Sequence, residues 1–417
     1  MVVEEPSDLA QRVCKHCGSR DVIIHDTDEI TLKDFPRIPY IRQYVKVLYK
    51  KFKCKSCGCV HSSPIQCRYC NLMITKTAAI AIKLLLRMDI SVRKIQSFTG
   101  IHWDTIRKLH EEEISETIKA RQEEIRLSGY KPRYLAVDEF AILKGHIYAT
   151  CVMDIELGDV LWVGKGKSIK DFSKFFESVD KDYLSEVKAV AIDMNASYNY
   201  LINKYLPNSK IIYDRYHMQS QFGREVIGSV RLSEAKKHKK EATKLNDSAS
   251  KIEDKSQKKE IKNRAKEEQL KYREIKKSRW TLLTSNHKLS EDSKDALANI
   301  LSEHKNLSTC YAMKEEMINL FNLTAEKGWF DWFKAALSSD IEQLEDFAKR
   351  KVNRLVGLIS HAIHNISTGK LEGFNNKIKV LKRIAYGYRN INYFFNLIKF
   401  ISIGEKIPIK RTALART

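Results

Sequence analysis

No run in this sequence is apolar for long enough to cross a bilayer. The most apolar helical stretch, MITKTAAIAIKLLLRM, carries Lys76 and Lys83 and falls short of the roughly 20 residues that a spanning helix needs. The first residues, MVVEEPSD, are acidic and lack an apolar core, which excludes a signal peptide. A membrane partner is therefore not expected, and a cytoplasmic, nucleoid-associated location is. Acidic residues are in deficit: 52 Asp and Glu face 74 Lys and Arg, giving a net charge of +22 and a pI near 9.4. Such an excess favours a polyanionic partner, most commonly nucleic acid. Cysteine is scarce beyond residue 70, where only Cys151 and Cys310 occur. Cys151 lies in an apolar run and reads as a core thiol. With 417 residues, 43% of them hydrophobic and 30% charged, the chain has the composition of a soluble globular protein of two to four domains.

What cysteine there is clusters. Cys14-Lys-His-Cys17-Gly and Cys54-Lys-Ser-Cys57-Gly are two matched knuckles, and four thiolates in two such turns form the ligand set of a structural zinc site. The glycine after each knuckle permits the tight turn that aims both sulfurs at one ion. Strand-like segments, DVIIHDTDEI and RQYVKVLYKKFKC, lie between them, so the expectation is a small zinc ribbon. Cys59, His61, Cys67 and Cys70 either complete a second metal site or are spare thiols and a spare ring; the spacing leaves both open.

From Thr75 the apolar residues recur at helical spacing. In SVRKIQSFTGIHWDTIRKLHEEE, Ser91 fits an N-cap, and Val92, Ile95 and Phe98 form one stripe. Gly100 ends that helix and HWDTIRKLH begins another. Two helices joined by a glycine turn fit a helix-turn-helix, and equally an ordinary helical hairpin. The basic charge and the preceding cysteine module favour DNA binding. The second helix would then present His102, Trp103, Thr105 and Arg107 to the major groove.

After Lys131 the period shortens. RYLAVDEF, HIYATCVMDI and DVLWVG read as three strands, SIKDFSKFFESVDKD as a helix, VKAVAIDM as a fourth strand, ASYNYLINKYL as a helix and KIIYDRYH as a fifth strand. This is the chain order of the ribonuclease-H-like fold, in which the first and fourth strands are neighbours. Asp138 and Asp193 end those strands. Each alone fits a cap of the turn that follows it. Together they repel unless a cation bridges them, and oxygen ligands select a hard ion, Mg²⁺ or Mn²⁺. The best third carboxylate is Glu372 in STGKLEGFNNKIKVLKRIAYGYRN, where Ser367, Thr368 or Gly369 starts a helix. Asn376, Lys379 and Arg383 follow Glu372 at helical spacing. Together with Lys382, they form a surface suited to a DNA backbone. Gly373 is expected to admit another backbone closely. Between these blocks, EAKKHKKEATKLNDSASKIEDKSQKKEIKNRAKEEQLKYREIKKSRW is Lys- and Glu-rich and predicts a long exposed helical arm, broken near NDSAS. Trp329, Phe330, Trp332 and Phe333 read as packing residues.

The blocks YLAVDEFAILKGHIYATCVMD, AVAIDMNASY, IIYDRYHM and GKLEGFNNKIKVLKRIAYGYRN resemble the catalytic blocks of the DDE transposases of the ISL3 insertion-sequence group. The zinc ribbon and helix-turn-helix are similar to that group too. The resemblance spans about residues 10 to 400. It implies Asp138, Asp193 and Glu372 as the catalytic triad, and a ribonuclease-H-like fold with an inserted helical region. Asp214 and His217 match a family block without a defined role, and Glu139 matches but is expected on the opposite face from Asp138. The expected organisation is multidomain α/β: a zinc ribbon over 1–72, a helix-turn-helix domain over 73–128, and a ribonuclease-H-like mixed sheet over 129–218. A helical insertion over 219–360 and closing helices over 361–417 follow. The expected activity is Mg²⁺-dependent cleavage at terminal inverted repeats and joining of the 3′ ends to target DNA. The expected assembly is a homodimer or a larger synaptic complex. The rivals are a non-catalytic DNA-binding regulator and a nuclease that only hydrolyses.

Overall fold

The structure is a computed structural model that describes residues 2–4, 13–143, 147–321, 323, 326–364, 366–385 and 387–403. All sequence-predicted site residues lie among them. His146, which opens the predicted second strand, and the chain beyond 403 lie outside. The chain divides into two compact units, residues 1–130 with 376–417, and residues 131–375.

The first unit opens on a small sheet of β1 (Val2–Glu4), β2 (Val22–Asp34), β3 (Gln43–Cys54) and β4 (Val60–Ser62). β2 and β3 form a long antiparallel hairpin from Val22↔Cys54 to Asp34↔Gln43. Leu32, Val45 and Val47 pack together on one face of the hairpin, and Phe52, on the opposite face of β3, packs with Val22, Cys14 and Cys54. Three helices follow, α1 (Lys76–Arg87), α2 (Val92–Thr99) and α3 (Trp103–Ser128). Ser91 caps α2 through the Lys94 amide. Gly100 ends α2 with φ +67, and a Cβ there would press on Arg42, so the turn favours glycine twice over. Ile82, Ile95, Ile101, Ile106 and Leu109 close the core among the three helices.

The second unit is built on a five-stranded mixed sheet: β5 (Tyr134–Leu143), β6 (Ile147–Asp154), β7 (Val160–Lys165), β8 (Ala189–Ile192) and β9 (Lys210–Tyr213). The order is β7-β6-β5-β8-β9. β5, β6 and β7 are antiparallel neighbours, while β8 runs parallel to both β5 and β9. The crossovers that allow parallel pairing are helices α4 (Ile169–Ser178) and α5 (Ala196–Tyr205). β8 reads AVAI and is buried at every residue, as a central parallel strand must be. The expected order of three strands, helix, strand, helix, strand is present.

The chain then turns helical: α6 (Arg215–Phe222), a five-residue π turn (Gly223–Ile227), α7 (Gly228–Ser250), α8 (Lys255–Lys277), α9 (Arg279–Leu283), α10 (Glu291–Glu303), α11 (Lys305–Leu320), α12 (Glu326–Leu337), α13 (Glu342–Lys351) and α14 (Leu355–Ile363). α7 and α8 form an antiparallel hairpin whose break, at 251–254, comes directly after NDSAS. Its seam uses small residues, Ala235, Ala242, Ala249 and Ala265, which lets the backbones approach. The core of the unit is continuous from the strands through Phe172, Phe175 and Tyr198 to Phe222, Trp329, Trp332 and Phe347. Trp329, Trp332 and Phe333 pack as expected, whereas Phe330 is exposed. Helix α15 (Gly369–Ile384) begins in this unit, and the division falls between Asn375 and Asn376. α16 (Ile391–Ile403) closes the first unit by packing on α3, with Tyr393 Oη 2.7 Å from His110 Nδ1. No helix among the described residues is long and apolar enough to cross a membrane.

Trp332 is fully buried and its indole N–H donates to the Met313 carbonyl at 2.8 Å. Trp332→Ala is expected to cost about 3–5 kcal/mol, measured by urea denaturation of the full chain. A loss below about 1 kcal/mol would mean that the helical layer does not share the core of the sheet.

Candidate active site

Parallel pairing sets the geometry. Val137 of β5 is registered with Ile192 of β8, so the next residues, Asp138 and Asp193, stand side by side. Asp193 follows the end of β8, but Asp138 lies within β5 opposite Cys151 and does not end its strand as expected, because β5 stays paired with β6 as far as Leu143. The Asp138 oxygens are both engaged: Oδ1 accepts the Glu139 amide at 2.8 Å and Oδ2 accepts the Asn375 side-chain amide at 2.8 Å. Burial, partly offset by the Glu139 amide and by His217 and reinforced by the Asp193 charge, raises the Asp138 pKa to about 6. Asp193 is 34% exposed, accepts from the Met194 amide and stands 3.8 Å from His217 Nδ1. Lys351 comes near from the helical layer. Its ammonium is buried, bonds the Gln221 side-chain oxygen and lies 3.3 Å from Met194 Sδ. Burial, with Arg354 nearby, lowers its pKa to about 8.

Glu372 lies on α15, one turn before Asn375. It is exposed, and the Asn375–Asp138 bond brings its helix to the first acid. Asp138, Asp193 and Glu372 do not form a group whose ligand atoms all lie within 4.8 Å. The donor set suits a hard cation nonetheless. It is all oxygen, and Asn375 Oδ1 is a buried oxygen with no hydrogen-bond partner. Glu139 points elsewhere, as expected for its place in a strand: Oε1 accepts from Asn195 and from Tyr198, and Oε2 lies 3.4 Å from Lys167 Nζ. Asp214 is buried and binds at the start of α15 through Thr368. Gly373 approaches no other backbone, because a Cβ there would meet nothing within 4 Å; this corrects the expectation from sequence. Asn375, Thr368 and Lys351 were missed. Asn375 had a signal, since it comes three residues after Glu372, as Asn376 comes four after it, and both spacings share a face.

Cys14, Cys17, Cys54 and Cys57 converge, with all four sulfurs within 4.8 Å of one another. The Cys14–Cys57 and Cys17–Cys54 sulfur distances are both 3.6 Å, close to the about 3.8 Å edge of a tetrahedron with 2.3 Å metal–sulfur bonds. Gly18 and Gly58 follow the knuckles with φ of +73 and +74. The Cys57 amide, with that of Ser56, draws the Cys54 thiol down to about 6. This cluster can hold a metal such as zinc. The second candidate set is not assembled among the described residues. Cys67 packs against Leu32, Val45 and Val47, and Cys70 is exposed. Both ring nitrogens of His61 are buried without hydrogen-bond partners. Cys59 instead approaches Cys57 and His16.

On the first unit, His102 caps α3 and is exposed with Trp103. Thr105 is half-buried. Arg107 is engaged: its guanidinium stacks 3.3 Å from the Tyr393 ring centre and pairs with Glu111 at 3.0 Å. On α15, Asn376, Lys379 and Arg383 are exposed and Lys382 is half-buried, with its pKa lowered by burial.

Asp138 holds its proton more tightly in the folded chain, at about 6 against the usual 3.8, so folding stability falls as pH rises through that window. Asp138→Asn is expected to stabilise the ion-free protein at about pH 7.5 by on the order of 2 kcal/mol. The gain should vanish near pH 4. Thermal melts at the two pH values check this, and a variant no more stable than its parent at the higher pH contradicts it.

The ISL3-group family of DDE proteins, described as Transposase, matches residues 135–398. Over 391 residues the chain is 31% identical to the transposase for insertion sequence element IS1001 of Bordetella parapertussis, spanning 93% of this chain and 88% of that protein. It is 23% identical over 280 residues to the transposase for insertion sequence element IS1557 of Mycobacterium tuberculosis, spanning 66% of this chain and 61% of that one. The chain belongs to the ISL3-group family of DDE transposases.

Proposed function

We propose that this transposase binds the terminal inverted repeats of its element, cuts the DNA at the ends and joins the freed 3′ ends to target DNA. Asp138, Asp193 and Glu372 are the reacting acids in this reading. One observation carries it: two carboxylates stand side by side where β5 and β8 pair in parallel, and the helix bearing the third is bonded to the first through Asn375. The strand order β7-β6-β5-β8-β9 with β8 parallel to β5 supports a ribonuclease-H-like fold for the core over 129–218. A helical insertion over 219–360 and closing helices over 361–417 complete the proposed organisation. Divalent ions, Mg²⁺ or Mn²⁺, supply activation of the attacking oxygen and neutralisation of the leaving one when bound.

The chain's own residues do the rest. The Glu139 amide and Asn375 fix both Asp138 oxygens, so this ligand loses little freedom on binding. His217 stands beside Asp193 at the edge of the site, where a phosphate oxygen is within its reach. In cleavage, water attacks the phosphorus and the P–O3′ bond breaks; the water's oxygen stays on the flank's 5′-phosphate and a proton passes to the element's 3′-oxygen, leaving a 3′-hydroxyl. In the second step that hydroxyl attacks a target phosphate, and the target's own 3′-oxygen leaves. Asn376, Lys379, Lys382 and Arg383 hold backbone phosphates. The cysteine module over 1–72, with zinc, and the helix-turn-helix over 73–128 read the ends through His102, Trp103 and Thr105. Arg107 supports them by buttressing Trp103, 5.5 Å away. Two ends must meet, so the working form is a homodimer or larger assembly on double-stranded DNA. The basic hairpin fits the same partner. Between Gly228 and Lys277, seventeen Lys and Arg face nine Asp and Glu, while residues 278–360 carry eleven against twelve. The excess charge of the helical region is therefore concentrated where phosphates can be followed.

Asp138→Asn, Asp193→Asn and Glu372→Gln are each expected to lower end cleavage by at least about a thousandfold while end binding stays within about twofold. Cleavage and strand transfer are followed on labelled end fragments and binding by mobility shift. Normal cutting by Glu372→Gln removes it from the site. End binding without cleavage by the parent chain, in Mg²⁺ or Mn²⁺, favours the regulator, and cutting without joining favours the nuclease.

Native mass spectrometry of the full chain should find zinc at one per chain. Chelation should unfold the sheet of β1 to β4 and abolish end binding, because structural zinc supplies folding energy. A zinc-free chain that binds ends normally contradicts the metal site.

A further inference from the structure

Asp214 follows β9 and is 4% exposed. A carboxylate at that depth is costly unless donors meet it, and four do. Oδ1 accepts the amides of Tyr216 at 2.8 Å and His217 at 3.2 Å, which makes Asp214 the N-cap of α6. Oδ2 accepts the Thr368 hydroxyl at 2.6 Å and the Thr368 amide at 3.2 Å. Thr368 is 2% exposed and immediately precedes α15, and its carbonyl accepts the Glu372 amide at 2.8 Å. One carboxylate therefore stands at the N-termini of two helices, where the partial positive charge of each favours an anion.

Both helices lead to the acid pair. α6 carries His217, whose ring is beside Asp193. α15 carries Glu372 four residues after Thr368, and Asn375 seven after it. Those spacings put all three on one face of the helix. That face is tied at two points, Thr368 to Asp214 beyond β9 and Asn375 to Asp138 on β5. Glu372 lies between the ties.

We infer that Asp214 is a positioning residue. Through Thr368 it fixes where α15 starts against the sheet, and so the angle and depth at which Glu372 is presented to Asp138 and Asp193. The inference rests on the reading of those three as the reacting acids. It assigns Asp214 no contact with DNA or with the reacting atoms.

The test cuts the Oδ2 arm and spares the α6 cap. Thr368→Val removes the hydroxyl at nearly constant shape. Asp214→Asn keeps one oxygen for the α6 amides and puts an amide group where the Thr368 N–H needs an acceptor. Mn²⁺ binding to the full chain, followed by the loss of free-ion paramagnetic resonance signal, is the primary readout, and end cleavage against Mn²⁺ concentration is the second. Both variants are expected to weaken Mn²⁺ binding about 10- to 100-fold, the usual effect of losing a group that orients a ligand. Half-maximal cleavage should move by the same factor, and Thr368→Ser should restore both. Wild-type Mn²⁺ affinity in Thr368→Val overturns the inference, whether or not the melting temperature or the maximal rate falls. So does a loss that Thr368→Ser fails to restore. Glu372→Gln is run alongside: cleavage by that variant overturns the acid assignment itself, whereas an inactive Glu372→Gln beside an unaffected Thr368→Val overturns only the positioning role.

Discussion

Two carboxylates forced into adjacency by a strand register are the constraint from which the second unit is organised. With Val137 registered to Ile192, the chain has no freedom to separate Asp138 from Asp193. Burial of Asp138, reinforced by the Asp193 charge, opposes its ionisation and raises its pKa to about 6. The surroundings reduce this cost without removing it. Asn375 and the Glu139 amide donate to Asp138, and His217 and Lys351 bring positive or polarisable groups towards Asp193. Neither acid has a direct Lys or Arg partner among the described ion pairs. Cations further away than about 8 Å do little, since salt largely screens exposed charges beyond that distance. A site left short of positive charge at contact distance is one that a small divalent ion and a phosphate can enter together, as the proposed reaction requires.

The third acid has to be brought back across a long detour. Between Tyr213 and Gly369 lie 155 residues, and those described are helix and turn. Closing a loop of that length costs only logarithmically more than closing a short one, but the return has to be held. Two kinds of contact hold it. The aromatic layer of Phe222, Trp329, Trp332 and Phe347 shares one core with the sheet, so the detour is packed rather than loose. At its end, Asp214 and Thr368 join the last strand to the first turn of α15. The packing fixes the neighbourhood and the hydrogen bonds fix the angle. These are separate tasks, because dispersion contacts are non-directional and charge-assisted hydrogen bonds are not.

Much of this was legible in sequence, for physical reasons. β8 is four apolar residues closed by an acid, and only a strand buried on both faces reads that way. The two cysteine knuckles announced their own convergence, since each places a glycine where the backbone must adopt positive φ. Ser91 and Gly100 marked the ends of α2 through capping chemistry. What could not be read was which neighbour on a helix faces inward. Asn375 and Asn376 are equivalent by spacing from Glu372, and only the docking of α15 decides that Asn375 meets Asp138. Arg107 looked like a free cation, but α16 supplies Tyr393 from nearly three hundred residues away. Gly373 suggested a close approach that α15 does not make. Each of these depends on a long-range contact that periodicity does not carry.

The charge of the chain follows the same division of labour. A net +22 spread evenly would repel itself and raise the cost of folding. Instead the helical region keeps its packed part near neutrality, with eleven basic against twelve acidic residues over 278–360, and concentrates its excess on the α7–α8 hairpin. The hairpin can carry that excess because alanines form its seam and its lysines reach water from nearly every other position. The bulk of the positive charge of this region thus lies outside its packed core. An acid pair that must stay ionisable is better served by this arrangement than by a cation locked beside it, since a buried lysine in contact would fill the place of the ion and hold the carboxylates in a pair of its own. Lys351 marks the limit of what is tolerated: it bonds Gln221 and Met194, adjacent to Asp193 in sequence, and not the acid itself.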